Sequence, residues 1–177
     1  MSQTANKPNP KDAVSLLTRD HKEVKSAFKQ FETLGDRAFV AKKKLAEDIC
    51  SALTVHAAVE EEIFYPAVRK HVKESGDMLD EAAVEHASAK DLIAQIQMMS
   101  SEDDLFDAKV KVLSEQIEHH AGEEEEEMFA KVRKSNMDLM ALGEEIAARK
   151  AELLTAVPAS WPYGSLQSNS SSQQDAR

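Results

Sequence analysis

The stretch HAAVEEEIFYPAVR at residues 56–69 decides the fold, because the chain nearly repeats it as HAGEEEEEMFAKVR at residues 120–133. Half of the fourteen positions are identical, including the first His, three consecutive Glu and the final Val-Arg. In both copies a His precedes a Glu by four residues, and residues four apart lie on the same face of an α-helix. The two pairs are His56 with Glu60 and His120 with Glu124. The repeat predicts a duplicated helical unit that brings the same two side chains to one site twice.

The composition favours an all-helical protein without a membrane span. Ala, Glu, Lys, Leu and Met dominate the 177 residues, whereas Gly and Pro occur five times each, which is typical of helices rather than sheets. No apolar run approaches the roughly 20 residues that a transmembrane helix requires. The polar N-terminal sequence MSQTANKPNPKD lacks the apolar segment of a signal peptide. Cys50 is the only cysteine in the sequence, so no internal disulfide forms and a reducing compartment, the cytoplasm, is expected.

Four segments carry apolar residues and a histidine at spacings of three and four, the pattern of amphipathic helices. The positions in these stripes are Val14, Leu17, His21, Val24, Phe28 and Phe31; Leu45, Ile49, Leu53, His56, Ile63 and Phe64; Leu79, Ala83, His86, Ile93 and Ile96; and Phe106, Val110, Leu113, Ile117, His120 and Met128. Turns are predicted at 33–37, 73–77 and 100–104, and Pro66 is expected to kink the second helix. Four long helices with short connections predict an all-α, up-down-up-down four-helix bundle.

The other segments divide the chain around this bundle. A fifth helix is predicted at about residues 137–154 from the spacing of Leu139, Leu142, Ile146 and Leu153. Residues 1–11 are expected to form a flexible leader and residues 12–155 the bundle. Residues 156–177 are rich in Pro, Ser and Gln, which predicts a disordered tail.

The histidines of the four stripes are expected at one level of the bundle, facing one another. In an antiparallel hairpin, residues at the same level lie equally far from the turn that joins the two helices. The midpoints between successive stripe histidines fall at 38–39, 71 and 103, on or beside the three predicted turns. His119 lies about 100° around the helix from His120 and is expected in solvent. Glu61 and Glu62 also point outward, so Glu61 would reach the centre only through a local distortion of the helix.

Glu60 and Glu124 on a buried face require a positive partner. Burial of an unpaired carboxylate shifts its pKa by ~3–5 units, or ~4–7 kcal/mol each, against a domain stability of ~5–15 kcal/mol. No Lys or Arg interrupts the stripes beside these residues, whereas four imidazoles converge on them, so bound metal is the economical partner. Six donors exceed the four that tetrahedral zinc needs and suit two ions that share the carboxylates; iron is favoured, with Mn, Zn or Co as alternatives. Water, oxide or an external ligand such as O₂, peroxide or NO must complete the coordination.

A resemblance to a known family is carried by four motifs in order: RDH at 19–21, HAAVEEEIFYP at 56–66, EH at 85–86 and HHAGEEEEEMF at 119–129. Over roughly residues 12–135 the chain resembles the hemerythrin-like, His-His-Glu cation-binding family. The resemblance implies a four-helix bundle that holds two non-haem iron ions, bridged by both glutamates and by oxide or hydroxide. The implied ligands are His21, His56, Glu60, His86, His120 and Glu124. Oxygen-carrying hemerythrins have a further His where this chain has Lys90, so reversible oxygen carriage is not implied.

Three functions remain open from the sequence. The first is a di-iron protein that binds or consumes a small oxidant, with peroxide disproportionation as one chemistry that would make it an enzyme. The alternative is a sensor of metal occupancy, or an iron store or iron-binding protein, without turnover. The third is a structural bundle that contains no metal.

The expected partner is a small diatomic or peroxide ligand. The net charge of −10 argues against nucleic acid, because no block of Lys and Arg offsets it, and it is compatible with binding of cations. A membrane partner is not expected. A protein partner that binds the tail is compatible with the sequence, but nothing in the sequence supports one.

Overall fold

The computed structural model of the protein describes residues 8–155, and all regular elements in this range are helices. The elements are α1 (Ala13–Glu32), α2 (Phe39–Val59), a first π segment (Glu60–Phe64), α3 (Tyr65–His71), α4 (Gly76–Met98), α5 (Phe106–Glu123), a second π segment (Glu124–Met128), α6 (Phe129–Lys134) and α7 (Leu139–Thr155). Each π segment joins its two neighbours into one continuous helix. The predicted all-α fold is confirmed. The predicted tail and most of the predicted leader, residues 1–7, lie outside the described residues.

Contacts between the helices close a ring of four. Helix α1 packs on α2 and forms the first hairpin, and α4 packs on α5 and forms the second. The two hairpins meet where α2 contacts α4 and α1 contacts α5. Short connections join successive helices, which makes neighbouring helices antiparallel. The predicted up-down-up-down bundle is therefore confirmed. The predicted fifth helix is also present: α7 lies against α1, α2 and the first π segment.

The core of the bundle consists of two apolar clusters with a polar layer between them. The cluster near the described termini includes Leu17, Val59, Phe64, Val132 and Ile146. The cluster at the other end includes Phe28, Ile49, Ile96, Phe106 and Leu113. Along each of the four main helices, the buried histidine of the stripe stands between the positions that feed these two clusters. Burial of apolar surface at about 25 cal/mol per Å² on both sides therefore stabilises a polar centre that burial alone would disfavour.

The second and fourth helices of the bundle, α2 and α5, each continue into a π-helical turn at the repeated motif. The N–H of Tyr65 donates to the carbonyl oxygen of Glu60, and the N–H of Phe129 donates to that of Glu124, in place of the usual bond four residues apart. The sequence predicted an irregularity at Pro66, whereas Pro66 lies in the first turn of α3, where a missing N–H costs little. The second π segment forms with Ala at the position equivalent to Pro66, so proline is not the common cause. Single-turn π segments occur frequently at functional sites, and both segments begin at a predicted ligand.

Candidate metal centre

The four stripe histidines meet in the polar layer. Nε2 of His21 lies 3.1 Å from Nε2 of His56, and Nε2 of His86 lies 3.1 Å from Nε2 of His120. All four side chains are buried. The first pair of nitrogens belongs to the first hairpin and the second pair to the second hairpin. The two repeats of the sequence therefore place their histidines in equivalent positions. The prediction that the histidines share one level is confirmed by these distances.

The side chain of Glu60 lies between the two hairpins. Its Oε1 is 3.1 Å from Nε2 of His56 and its Oε2 is 3.4 Å from Nε2 of His86. The residue is 0 % exposed, and neither oxygen has a hydrogen-bond partner within residues 8–155. Burial opposes ionisation, but the charge of the His56 imidazolium outweighs it and holds the pKa of Glu60 well below its usual range. The site therefore holds a buried carboxylate that has no proton of its own.

Glu124 occupies the matching position on the other helix. Its Oε2 lies 3.3 Å from Nε2 of His21 and 3.6 Å from Nε2 of His120, and this oxygen has no hydrogen-bond partner in the described chain. Its Oε1 accepts a hydrogen bond of 2.9 Å from the hydroxyl group of Tyr65. Each glutamate thus faces one histidine from each hairpin, which is the placement of a bridging carboxylate.

The donor atoms form two adjoining groups, each compact enough to surround an ion. In both groups the chosen ligand atoms lie within 4.8 Å of one another. The first group is His21, His56, Glu60 and Glu124, and the second is Glu60, His86 and His120. Imidazole nitrogen with carboxylate oxygen is a donor set that suits iron and related transition metals. The unpartnered carboxylate oxygens are what a cation would satisfy, so the residues fit a metal centre.

The outward nitrogen of each histidine meets a second carboxylate. The Nδ1 contacts are His21 with Glu125 at 2.9 Å, His56 with Asp20 at 3.2 Å, His86 with Glu61 at 2.9 Å and His120 with Glu85 at 2.7 Å. A carboxylate at Nδ1 holds the proton on that nitrogen and leaves the Nε2 lone pair free to bind a cation. The whole layer is therefore arranged to present Nε2 inward.

The sequence reasoning missed these four carboxylates, although they leave a signal. Asp20 and Glu85 each precede a stripe histidine by one residue, and Glu61 and Glu125 each follow a predicted bridging glutamate by one residue. The prediction that Glu61 points outward is confirmed by its exposure, but the contact of its carboxylate with Nδ1 of His86 at 2.9 Å was missed. The π turn that begins at the preceding residue is the local distortion that makes this reach compatible with the helix.

The comparison with known families decides what this centre belongs to. The family described as hemerythrin HHE cation binding domain matches residues 12–132, which is more than half of the chain. The chain belongs to this family. The predicted resemblance is confirmed, and the domain is one that binds metal cations.

Two known proteins are similar to this hemerythrin HHE domain protein, and the similarity covers different fractions of their own lengths. A DNA nickase from Nostoc sp. is 31% identical over 118 residues, which are 67% of this chain and 32% of the nickase. This chain therefore spans about a third of that relative. The crystal structure of a hemerythrin HHE cation binding domain-containing protein from Mycobacterium kansasii matches with a TM-score of 0.69 and 20% identity, over 82% of this chain and 88% of that one. This second likeness shows a shared fold.

The ionisation of the HHE centre shows how its negative charge is balanced by protons. Burial opposes protonation of His56, but the charge of Glu60 and the hydrogen bond to Asp20 outweigh it and raise the pKa of His56 to about 10. Burial likewise opposes the charged form of His86, and the neighbouring carboxylate of Glu60 outweighs it and raises the pKa of His86. The hydrogen bond and charge of His56 lower the pKa of Asp20 in spite of its burial. The carboxylates thus favour protons on His56 and His86, and these protons carry positive charge that bound cations would supply.

Tyr65 distinguishes the two halves of the centre and was missed by the sequence reasoning. Its hydroxyl oxygen lies 3.3 Å from Nε2 of His86 in addition to its bond to Glu124. Burial, followed by the charges of Glu60 and Glu124, raises the pKa of Tyr65, so the phenol keeps its proton. The equivalent residue in the other half is Phe129, whose ring stacks on that of His21 at 5.8 Å. The aligned aromatic pair in the repeat was the available signal.

A small apolar cavity adjoins the histidines on the side of the second core cluster. It measures about 20 Å³ and is lined by Val24, Leu53, Ala57, Ala89, Ile93 and Ile117 together with the four histidines. A cavity of this kind needs roughly 10–15 Å³ to hold one water molecule. The space is therefore large enough for one molecule of about the size of water. Lys90, at its edge, pairs with Glu61 at 2.6 Å.

Proposed function

We propose that this protein is a non-haem di-iron protein that binds or reacts with a small oxidant, O₂, peroxide or NO, at a carboxylate-bridged site. The proposed ligands are His21, His56, Glu60, His86, His120 and Glu124. The observation that carries the proposal is the pair of buried glutamates with unpartnered oxygens, each facing a histidine of both hairpins. Without protonated imidazoles or a bound cation beside them, burying such carboxylates would cost several kcal/mol, roughly 4–7 each.

Iron is the metal that we propose for this site. Six donors of mixed nitrogen and oxygen type exceed what a tetrahedral zinc ion takes, and two neighbouring groups that share a carboxylate suit two ions. When bound, two iron ions would supply electrons and coordination positions for the small oxidant. Zinc and manganese fit less well, because zinc carries out no redox chemistry and manganese prefers sites richer in oxygen donors.

The protein's own residues supply orientation, a proton and a dry pocket. The carboxylates at Nδ1 hold each imidazole with Nε2 inward, and such partners commonly change metal affinity by about 10–100-fold. The hydroxyl group of Tyr65, on a helix of the first hairpin, is a hydrogen-bond donor that contacts His86 and Glu124 of the second. The apolar cavity beside the histidines favours a small uncharged ligand over bulk water. These features support binding of a small oxidant, and turnover of peroxide or NO is the enzymatic form of the same proposal.

Elemental analysis combined with spectroscopy tests the proposal. We expect two iron ions per chain in protein reconstituted with Fe²⁺, and a change in the ultraviolet–visible spectrum when O₂, H₂O₂ or NO is added. Glu124→Gln should reduce the iron content, whereas the control Glu126→Gln, two residues further on and exposed, should not. A single zinc ion per chain, or an unchanged spectrum with every oxidant, would contradict the proposal. Consumption of H₂O₂ over many equivalents distinguishes turnover from binding.

A sensor of metal occupancy is the second candidate, and one contact favours it. Nζ of Lys150 on α7 lies 2.6 Å from both oxygens of Asp20, which in turn contacts Nδ1 of His56. Metal bound by His56 would therefore bias the position of α7. Hydrogen exchange of α7 in apo and iron-loaded protein tests this candidate. Equal protection of the α7 amides in apo and iron-loaded protein would contradict a sensor and leave iron binding or storage as the functions without turnover.

Nucleic acid and membrane are absent from the partners that we propose. The net charge of −10 opposes contact with phosphate, although the similar protein from Nostoc sp. is named a DNA nickase. No helix within residues 8–155 has the length and apolar character that a membrane span requires. We propose a cytoplasmic protein with a leader at 1–11, a bundle at 12–155 and a tail at 156–177. Nicking of a supercoiled plasmid by the iron-loaded protein would contradict the absence of nucleic acid from the proposed partners.

A further inference from the structure

The duplication gives the bundle two equivalent outer faces, and they differ in chemistry. The face of the first hairpin consists of Leu16, Asp20, Val55, Val59 and Ile63. The equivalent positions of the second hairpin are Glu81, Glu85, His119, Glu123 and Glu127. The first face is largely buried and packs under α7, whereas four of the five residues of the second face are exposed. We call the second face the acidic face.

A cavity leads from the acidic face to the metal centre. It has a volume of about 70 Å³ and lies between α4 and the continuous helix of α5 and the second π segment. Its lining residues are Met78, Glu81, Ala82, Glu85, His120, Glu123, Glu124, Glu127 and Met128. Five of these nine residues are glutamates, and no Lys or Arg is among the described residues that line it. The negative potential along this path attracts cations and repels anions.

Two residues that line the cavity, Glu85 and Glu123, form a group with His119 that is placed as a cation site. Nε2 of His119 lies 3.3 Å from Oε1 of Glu123 and 3.7 Å from Oε1 of Glu85. One ligand atom from each of the three residues lies within 4.8 Å of the others. The second oxygen of Glu85 accepts from Nδ1 of His120 at 2.7 Å. Glu85 therefore joins the outer cluster to a histidine of the inner centre.

An independent observation at the inner end of the cavity points to a cation ligand. Glu124 is 2 % exposed, lines the cavity, and its Oε2 has no hydrogen-bond partner within residues 8–155. The face thus carries solvent-exposed donors at one end and an unsatisfied carboxylate oxygen at the other. A partly hydrated divalent cation is the ligand that satisfies both ends, because it can exchange water for carboxylate oxygen stepwise.

We propose that Glu85, His119 and Glu123 form an outer divalent-cation site through which ions reach the inner metal centre. The inference rests on the proposed inner site, which receives the ion. The outer site is exposed and supplies only three protein ligands, so it binds more weakly than the inner site and releases its ion. The first hairpin has no such route within the described chain, because α7 covers its equivalent face.

Cobalt(II) added to the metal-free, full-length protein tests the route. The visible absorption of Co²⁺ reports filling of the inner centre over time, and equilibrium dialysis with elemental analysis counts all bound ions. The variant His119→Ala/Glu123→Gln is compared with Glu118→Gln, which also removes one negative charge from an exposed position of α5. Both altered positions of the variant are exposed, and urea denaturation confirms that each variant folds.

We expect the double variant to load Co²⁺ more slowly and to bind one weakly held Co²⁺ ion fewer. At low ionic strength the double variant should load about tenfold more slowly than wild type and Glu118→Gln, as expected when electrostatic attraction is removed. The inner centre should fill to the same final level, and one additional weakly bound Co²⁺ should vanish. Equal loading rates, or retention of the weak ion in the double variant, would overturn the inference. If the inner centre never fills in any variant, the proposed function fails, and the weak ion counted by dialysis still decides the outer site.

Discussion

At the scale of single residues, Tyr65 breaks the symmetry that the repeat creates. Its hydroxyl group donates to Oε1 of Glu124, and Phe129 at the equivalent position offers no donor. Tyr65→Phe should therefore lower the free energy of unfolding of the metal-free protein by about 1–3 kcal/mol, because it leaves a buried carboxylate oxygen without a partner. Urea denaturation measures the change. The loss should disappear in a Glu124→Ala background, which has no side-chain acceptor, and a loss of equal size there would show that the hydroxyl group acts elsewhere.

Asp12 caps the first helix, and its charge gives a pH-dependent contribution. Its carboxylate accepts from the backbone N–H of Ser15 at 2.7 Å and from Arg133 at 3.2 Å. Burial raises the pKa, but hydrogen bonds from the Asn9 and Ser15 backbone and the Arg133 side chain outweigh it and lower the pKa of Asp12. A lowered folded pKa stabilises the fold above the ordinary pKa of about 3.9, and this contribution is lost as the pH falls through the folded value.

Two substitutions at Asp12 separate the cap from the charge. Asp12→Ala should cost about 1–2 kcal/mol at low pH, because the N-cap acceptor is gone, and more near pH 7, where the ion pair with Arg133 is lost as well. Asp12→Asn keeps an acceptor and loses the ion pair with Arg133, so it should be less stable than wild type near pH 7. Denaturation at a series of pH values should show the Asn variant and wild type converging below about pH 4. A constant difference between them would contradict a role for the charge.

At the scale of elements, the close contact of α7 with the start of α1 depends on Gly143. A Cβ at this position would overlap the carbonyl oxygen of Lys11 and lie 2.9 Å from the backbone nitrogen of Ala13. Gly143→Ala should therefore displace α7 and cost at least the ~1–3 kcal/mol typical of overpacking. Gly122→Ala is the control, because a Cβ there meets nothing within 4 Å and should stabilise α5 by roughly 0.5–1 kcal/mol. Thermal denaturation of both variants checks the opposite signs.

The contact between α7 and the metal centre gives a second prediction for this element. Lys150 holds Asp20, and Asp20 holds the imidazole of His56, so Lys150→Gln should loosen the orientation of a proposed ligand. Metal affinity should fall toward the lower end of the ~10–100-fold range seen for such partners. Lys90→Gln removes the partner of Glu61. It should have a smaller effect, because Lys90 is more exposed to solvent than Lys150. Competition with a chelator measures both, and equal affinities of wild type and Lys150→Gln would contradict the coupling.

At the scale of the whole molecule, the polar layer makes stability depend on bound cations. The layer separates two apolar clusters, so its charge balance affects the packing of all four main helices. A metal that binds only the folded state adds ~2.7 kcal/mol when its concentration is 100 times the dissociation constant. Treatment with a chelator should therefore lower the Tm of iron-loaded protein, and Glu124→Gln should respond little. A Tm unaffected by metal removal would favour the structural bundle without metal.

Helix boundaries, the bundle and the six inward donors could be predicted because they depend on local periodicity. A stripe at spacings of three and four fixes which face of a helix is buried, and the turn positions fix which residues share a level. Glu61 is exposed as predicted, but its contact with His86 could not be predicted, because the prediction assumed 100° per residue throughout and the π segment changes that rotation where the motif begins.

The sequence by itself determined the elements, their order and the side chains that face the axis, because each of these follows from spacing along one chain. Only the tertiary structure decided the carboxylate at each Nδ1, the reach of Tyr65 across the bundle, and the coverage of one outer face by α7. These contacts join residues from different helices, and their distances depend on how the packed helices are rotated and shifted against one another.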